Sequence, residues 1–291
     1  MSFCQKLALG TAQFGLHYGV GNRDGQTPIG EIEKILNRAW QAGINSLDTA
    51  FEYGVAESQL GLAGISRWRT ISKIPAIPAR CPHISAWIDS KVDQSLDRLQ
   101  INRLYGLLLH RSADLLGNQG DRIQHSLEKL KEGGRVEKIG VSIYDFSELE
   151  EITSRYVIDL VQVPFNCIDR RLIDSGCLTR LKQIGIEVHV RSVFLQGLLL
   201  MEPDSRPEYF KGWKSLFEIW DNWLLTERVD PIDACLGLPM SLPGIDRIVV
   251  GINHLGHLNQ ILERMTTKAP VLPDGINCSD LELIDPSRWK V

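Results

Sequence analysis

Long hydrophobic runs, basic clusters and paired cysteines are all missing from this 291-residue chain. No apolar stretch reaches the roughly 18 residues that a membrane span requires, so no membrane partner is expected. No long run of Lys or Arg appears, and the formal net charge is -4, which argues against nucleic acid as the main partner. The six cysteines (Cys4, Cys81, Cys167, Cys177, Cys235 and Cys278) never stand as Cys-x-x-Cys, so they read as reduced, mostly structural thiols. Residues 1–6 lack the charged-then-apolar pattern of a secretion signal. These absences together lead to the expectation of a soluble, cytoplasmic protein.

What is present is a regular alternation. Hydrophobic residues make up 43% of the chain, enough for a sizeable core. Apolar runs at 6–10, 44–47, 69–74, 104–109, 136–142, 160–163, 186–190 and 245–250 read as eight strands, each followed by a helical pattern. The first long helix opens at Thr27-Pro28, with Thr27 as its cap and Pro28 at the first helical position. Ile32, Ile35, Leu36, Ala39 and Trp40 keep its 3.6 period, and Gly43 stops it. Residues 172–184 read as one helix closed by Gly185, and Trp213, Phe217, Trp220 and Leu224 fall at helical spacing as a packing stripe. Strands alternating with helices imply a parallel sheet with right-handed crossovers. An open doubly wound sheet is the competing architecture, but it calls for a Gly-x-Gly-x-x-Gly turn after an early strand, and there is none. The expectation is therefore an α/β protein, a (β/α)8 TIM barrel, with residues 1–291 as a single domain and 270–291 as a C-terminal tail.

In such a barrel the chemistry sits at the C-terminal ends of the strands. Asp48 ends the second strand and Tyr53 follows in its loop; Lys73 lies near the end of the third strand and His110 ends the fourth. Neighbouring strands can bring these four side chains into one pocket. A free phenol has a pKa of roughly 10, and a nearby ammonium favours its ionised form. Lys73 would then tune Tyr53, Asp48 would hold Lys73, and His110 could donate a hydrogen bond to a substrate oxygen. Such a set protonates a developing alkoxide. None of the four is a strong nucleophile and no metal-ligand pattern accompanies them, so an outside reagent is needed; hydride from a nicotinamide is the natural one. Each residue also has a bland reading: Asp48 as a turn residue, Tyr53 as a packed loop tyrosine, Lys73 as a solvated strand end, His110 as a satisfied core histidine. Their joint occurrence on three consecutive strand ends is what favours the site.

Leu-Asp-Thr-Ala-x-x-Tyr-Gly-x-x-Glu-x-x-Leu-Gly, running from Leu47 to Gly61, resembles the pattern of the aldo-keto reductase superfamily. The surroundings of Lys73 and His110, Gly140-Val-Ser142, the run at 161–166, and the turn at 248–251 with Leu258 and Gln260 are similar to the family's other motifs. The resemblance implies a carbonyl reductase with Tyr53 as general acid, Lys73 and Asp48 tuning it, and His110 orienting a small-molecule carbonyl substrate. It implies that Ser142 and Gln162 hold the nicotinamide carboxamide, that Ser192 and Leu195 line the pyrophosphate, and that Gly251 and Gln260 lie beside the adenosine half. NADPH is the usual family cofactor. No metal is implied, and the oligomeric state stays open. A cofactor-binding regulatory protein of the same fold, without significant turnover, is the alternative reading.

Three departures stand out. Ile143 occupies the place of the Asn that often follows the family's strand-five serine. Arg191 stands where an aromatic ring usually stacks on the nicotinamide. The turn into the last helix carries Asn253, His254 and His257 rather than the Lys and Arg that hold a 2′-phosphate, so NADH is possible beside NADPH. Gln13, Phe14, Tyr18, Arg111, Asn166, Arg170 and Arg171 fall on mouth loops and suit a hydroxylated or anionic carbonyl compound such as a sugar derivative. Residues 10–15 and 191–199 look like those of reductases associated with bacterial polysaccharide synthesis. Residues 201–212 are a candidate mobile lid, and Trp289 is a candidate wall of the pocket, with simple surface packing the favoured reading of that residue.

Overall fold

The eight apolar runs pair with one another in chain order and close on themselves. In the computed structural model, which describes residues 3–265 and 268–290 and of Phe3 only the main chain, the strands are β1 (Leu7–Gly10), β2 (Ser46–Asp48), β3 (Arg69–Ile74), β4 (Leu104–Leu109), β5 (Val136–Ser142), β6 (Leu160–Pro164), β7 (Glu187–Arg191) and β8 (Arg247–Gly251). All pairings are parallel, and β1 joins β8 through Leu7↔Ile248 and Leu9↔Val250. This is the (β/α)8 barrel expected from the alternation.

Helices cover the outside because their apolar faces have the right period. Ile29–Gln41 buries Ile32, Ile35, Leu36 and Ala39, spaced three and four apart, and Ile84–Leu99 buries Ile88, Val92 and Leu99 on one stripe. Each such Leu or Ile removed from water contributes about 1.5–3 kcal/mol. Inside the barrel, Ile71, Leu108 and Leu160 form a separate apolar plug. Gly106 leaves room for it: a Cβ there would stand 2.9 Å from Leu160 Cδ2 and would have to displace that side chain. Towards the N-terminal ends of the strands the filling turns polar. Glu187 accepts from Tyr105 and from His189, and pairs with Lys138.

Several local expectations are corrected. Thr27 does not cap the first long helix; its Oγ1 donates to the Asn253 carbonyl (3.0 Å), tying the β1 loop to the β8 loop, and the helix starts after Pro28 without a side-chain cap. Residues 172–184 are two helices, Arg171–Asp174 and Cys177–Gln183, divided at Gly176, whose φ of 71° no helix can contain. The stretch read as a lid is pinned rather than loose. Arg206 makes two 2.6 Å bonds to Asp221 and a third to the Met201 carbonyl, while Phe210 is buried against Phe217 and Trp289.

Candidate active site

The C-terminal ends of β2, β3 and β6 meet around one buried ion pair. Lys73 Nζ donates to Asp48 Oδ2 (2.7 Å) and to the Thr49 carbonyl (2.8 Å), and Gln162 Nε2 donates to Asp48 Oδ1 (2.6 Å). Lys73 is 1% exposed and Asp48 3%, so water does not share these contacts. Burial lowers the Lys73 pKa, and the Asp48 charge and hydrogen bond offset part of that loss. The pairing expected from the sequence is therefore present.

Tyr53 reaches the same place from the loop after β2. Its position depends on a backbone approach that only glycine permits. A Cβ on Gly15 would lie 1.8 Å from the Tyr53 carbonyl, and Gly54, at a φ of 55°, stands against the Gly15 carbonyl. Lys73 Nζ lies 5.0 Å from the centroid of the Tyr53 ring. The expected downward tuning of the phenol is not found in this arrangement. Burial pushes the Tyr53 pKa up, the Asp48 charge adds to it, and Arg191 opposes both more weakly. The ammonium already serves Asp48, so its field at the phenol is largely cancelled.

His110 follows β4 directly and packs edge-on to Tyr53, ring centroids 5.9 Å apart. Its Nδ1 lies 3.1 Å from Glu52 Oε2. Burial, with Lys73 and then Arg191 adding to it, brings its pKa down to about 4. Arg191, at the end of β7, lays its guanidinium 3.9 Å over the Tyr144 ring and donates to the Ile143 carbonyl (2.9 Å) and to Ser192 Oγ (3.3 Å). Among the described residues it has no carboxylate partner.

These groups surround a cavity of about 680 Å³, within the range of small-molecule and cofactor sites. Asp48, Tyr53 and His110 line it, and Lys73 sits just behind them. Ser142, Gln162, Arg191, Ser192, Gly251, Asn253, His257 and Gln260 also line it. Leu195 does not: it is fully buried in the core, because Ser192, Leu195 and Gln196 all take positive φ and the chain turns Leu195 inward.

A family model for the aldo/keto reductase family matches residues 6–270. The chain belongs to that family. Of the solved structures it resembles, aldo-keto reductase AKR11C1 from Bacillus halodurans, holo form, is 22% identical over 89% of this chain and 86% of that one, with a TM-score of 0.71. The PA4992 protein of Pseudomonas aeruginosa is 21% identical over 90% of each chain, with a TM-score of 0.67. At these identities the likeness speaks for the fold. No curated protein sequence matches the chain. Membership in the aldo/keto reductase family makes the protein a carbonyl-reducing oxidoreductase.

The lining of the cavity fits the family's nicotinamide cofactor at two buried acceptors. Gln162 Oε1 is buried with no partner among the described residues, beside Ser142 in the β5–β6 register; such an acceptor suits a carboxamide N–H. Gln13 Oε1, also on the lining, is a second orphan, and a Cβ on Gly251 would sit 2.6 Å from Gln13 Nε2. Sequence reasoning missed Tyr144, and it gave no role to Thr11 and Gln196, which stand in the stretches 10–15 and 191–199; all three line the cavity. It also placed too many polar groups at the mouth. Arg171 is bound bidentately by Asp169, Asn166 is fully buried as a loop brace, Phe14 is core, and none of them, nor Arg170, lines the cavity. The tail contributes Pro286 and Ser287 to the wall, whereas Trp289 packs on Phe210. Among the described residues no helix is long and apolar enough to cross a membrane, and no three His, Cys, Asp or Glu side chains gather as a metal site.

Proposed function

We propose that this protein reduces an aldehyde or ketone to an alcohol with a nicotinamide dinucleotide, and that Tyr53 is the proton donor. A nicotinamide, when bound, supplies the hydride that adds to the carbonyl carbon. Ser142 and Gln162 would hold its carboxamide, with Arg191 beside the ring and Ser192 nearby. Gly251, Asn253, His257 and Gln260 would meet the adenosine half. The observation that carries the reading is a phenol held protonated in a cavity against a buried Lys73–Asp48 pair.

As the C=O electron pair moves onto oxygen, Tyr53 breaks its O–H bond and passes the proton to that oxygen. An alkoxide is a stronger base than a phenolate, so a phenol with a raised pKa still transfers downhill. The phenolate left behind is stabilised by the Arg191 guanidinium, the cation whose charge favours the ionised form of Tyr53. Asp48 keeps Lys73 in place, and the proton returns from solvent. NADPH and NADH both fit this scheme.

Tyr53→Phe is the test. Cofactor binding, followed by quenching of tryptophan fluorescence, is expected to persist, while carbonyl turnover falls roughly 100- to 10,000-fold. Equal turnover in the two proteins removes Tyr53 from the role. Tight cofactor binding with no turnover of any aldehyde or ketone by the wild type would instead favour the regulatory reading.

A further inference from the structure

Arg191 holds its charge among uncharged partners. Its guanidinium lies over the Tyr144 ring and donates to the Ile143 carbonyl and to Ser192 Oγ. A guanidinium stays protonated in proteins, so this charge is permanent. The other charged groups on the lining are already engaged. Asp48 belongs to Lys73 and Arg111 to Asp114, while Glu52, beside His110, has its side chain 52% exposed, so water screens it. Burial lowers the pKa of both His110 and His257, which leaves them neutral near pH 7. One uncancelled positive charge therefore remains at the β7 wall of the cavity. It stands next to the carboxamide seat. Arg191 binds the carbonyl of the residue after Ser142, and its strand partner Pro164 lies two residues beyond Gln162. Ser142 and Gln162 are themselves register partners. A ring held by those two side chains through its carboxamide is brought beside the guanidinium.

Resting on the carbonyl-reductase reading, we infer that Arg191 makes the site discriminate by charge between the two redox forms of the nicotinamide cofactor, holding the reduced form more tightly than the oxidised. A guanidinium plane stacks on a neutral ring and repels a cationic one. The reduced ring is neutral; loss of a hydride, one hydrogen nucleus with two electrons, leaves the ring with a positive charge. Attraction between Arg191 and the cofactor phosphates acts alike on both forms and cancels in their ratio. When the hydride passes to the carbonyl carbon and the Tyr53 proton to the oxygen, the Tyr53 phenolate balances the new charge beside Arg191. Return of a proton to Tyr53 from solvent removes that balance. Two cations then face each other, and the oxidised form is released. It is thus a weak product inhibitor, and the site works in the reducing direction in a mixture of the two forms.

Calorimetric titration with NADH and NAD+, and with NADPH and NADP+, tests the inference. The wild type is expected to bind the reduced member of each pair about tenfold or more tightly. Each tenfold raises the potential of the bound two-electron couple by about 30 mV. Arg191→Met removes the charge, and it is expected to bring each ratio to within about threefold of unity. Arg191→Gln, also neutral and still a donor to the Ile143 carbonyl, should behave in the same way, whereas Arg191→Lys should retain the preference for the reduced member. Binding of ADP-ribose, which carries the phosphates without the nicotinamide, shows that each variant still forms the site. Equal affinities for the two forms in the wild type, or a wild-type ratio that persists in a neutral variant that binds ADP-ribose, overturns the inference. Either result leaves the proposed function standing when carbonyl compounds are still turned over. Failure of the wild type to bind any of the four dinucleotides removes both.

Discussion

Lys73 Nζ and Asp48 Oδ2 stand 2.7 Å apart with both side chains almost wholly out of water. Asp48 is also the acceptor for Gln162, so one carboxylate joins β2, β3 and β6 at the floor of the cavity. Removing either partner strands the other charge in the interior. Asp48→Asn and Lys73→Met are each expected to cost about 3–5 kcal/mol. In the double variant the loss should fall well short of the sum. Urea unfolding of the four proteins measures this, and strict additivity would show that the pair is not energetically joined.

Gly15 sets the position of Tyr53 through backbone contact alone. Gly15→Ala forces the Tyr53 loop outward, because the added carbon would meet the Tyr53 carbonyl at 1.8 Å and the Ala56 nitrogen at 2.4 Å. Overpacking of this kind costs about 1–3 kcal/mol. The expected signature is a fall in kcat of roughly tenfold or more, following the sensitivity of turnover to small displacements, in a protein that remains folded by circular dichroism. Full activity in this variant would mean that the loop relaxes without moving the phenol.

Acid should unfold the protein through two groups acting in adjoining windows. His110 is brought down to about 4, so between pH 6.5 and 4 the unfolded chain binds a proton there that the folded chain does not. Stability therefore declines as pH falls across that interval. Burial works to raise the Glu187 pKa, but His189, Lys138 and Tyr105 outweigh it and hold the carboxyl well below the usual range. Its stabilising contribution is present above the unfolded carboxylate value of roughly 4.3 and fades as pH drops further. Glu187→Gln is expected to flatten the lower window and leave the upper one, as read from denaturant midpoints at a series of pH values. A lower window of unchanged slope would exclude Glu187 as its source.

Cofactor choice should turn on Glu31. Its Oε1 accepts from the Leu255 N–H at 2.8 Å, at the start of the helix Leu255–Arg264 that carries His257 and Gln260. A carboxylate therefore already occupies a helix N-terminus that would otherwise attract a 2′-phosphate. Among the described residues the only Lys or Arg side chains lining the cavity are Arg111 and Arg191, and neither belongs to the β8 end. NADH is expected to bind at least as tightly as NADPH, and Glu31→Gln to shift the balance towards NADPH by about three- to tenfold at low salt, diminishing with added salt. Fluorescence titrations give both constants. Preference for NADPH that Glu31→Gln leaves untouched would exclude this role.

Much of the site was legible because its residues lie where strands end. Asp48, Lys73 and His110 could be placed by locating apolar runs, and Tyr53 by its distance from Asp48. Arg191, Ser142 and Gln162 were legible only through likeness to a family pattern. Leu195 was misplaced, since a short loop with three non-glycine residues at positive φ turns a side chain in a direction that no periodicity records. Tyr144 went unseen, and Gln196 was given no role within 191–199, because a lining residue needs only a neighbour across the cavity, not a motif in the chain.

Local pattern by itself determined the eight alternating strands and helices, hence the closed barrel, and the strand ends that could carry chemistry. Those features follow from burial periodicity, which is written in successive residues. The electrostatic character of the site was decided only in three dimensions. A phenol pushed up rather than down, a histidine facing Glu52, and an arginine without a carboxylate partner among the described residues each depend on desolvation and on charges from distant strands, whose sum at a point in space is not a property of any stretch of chain.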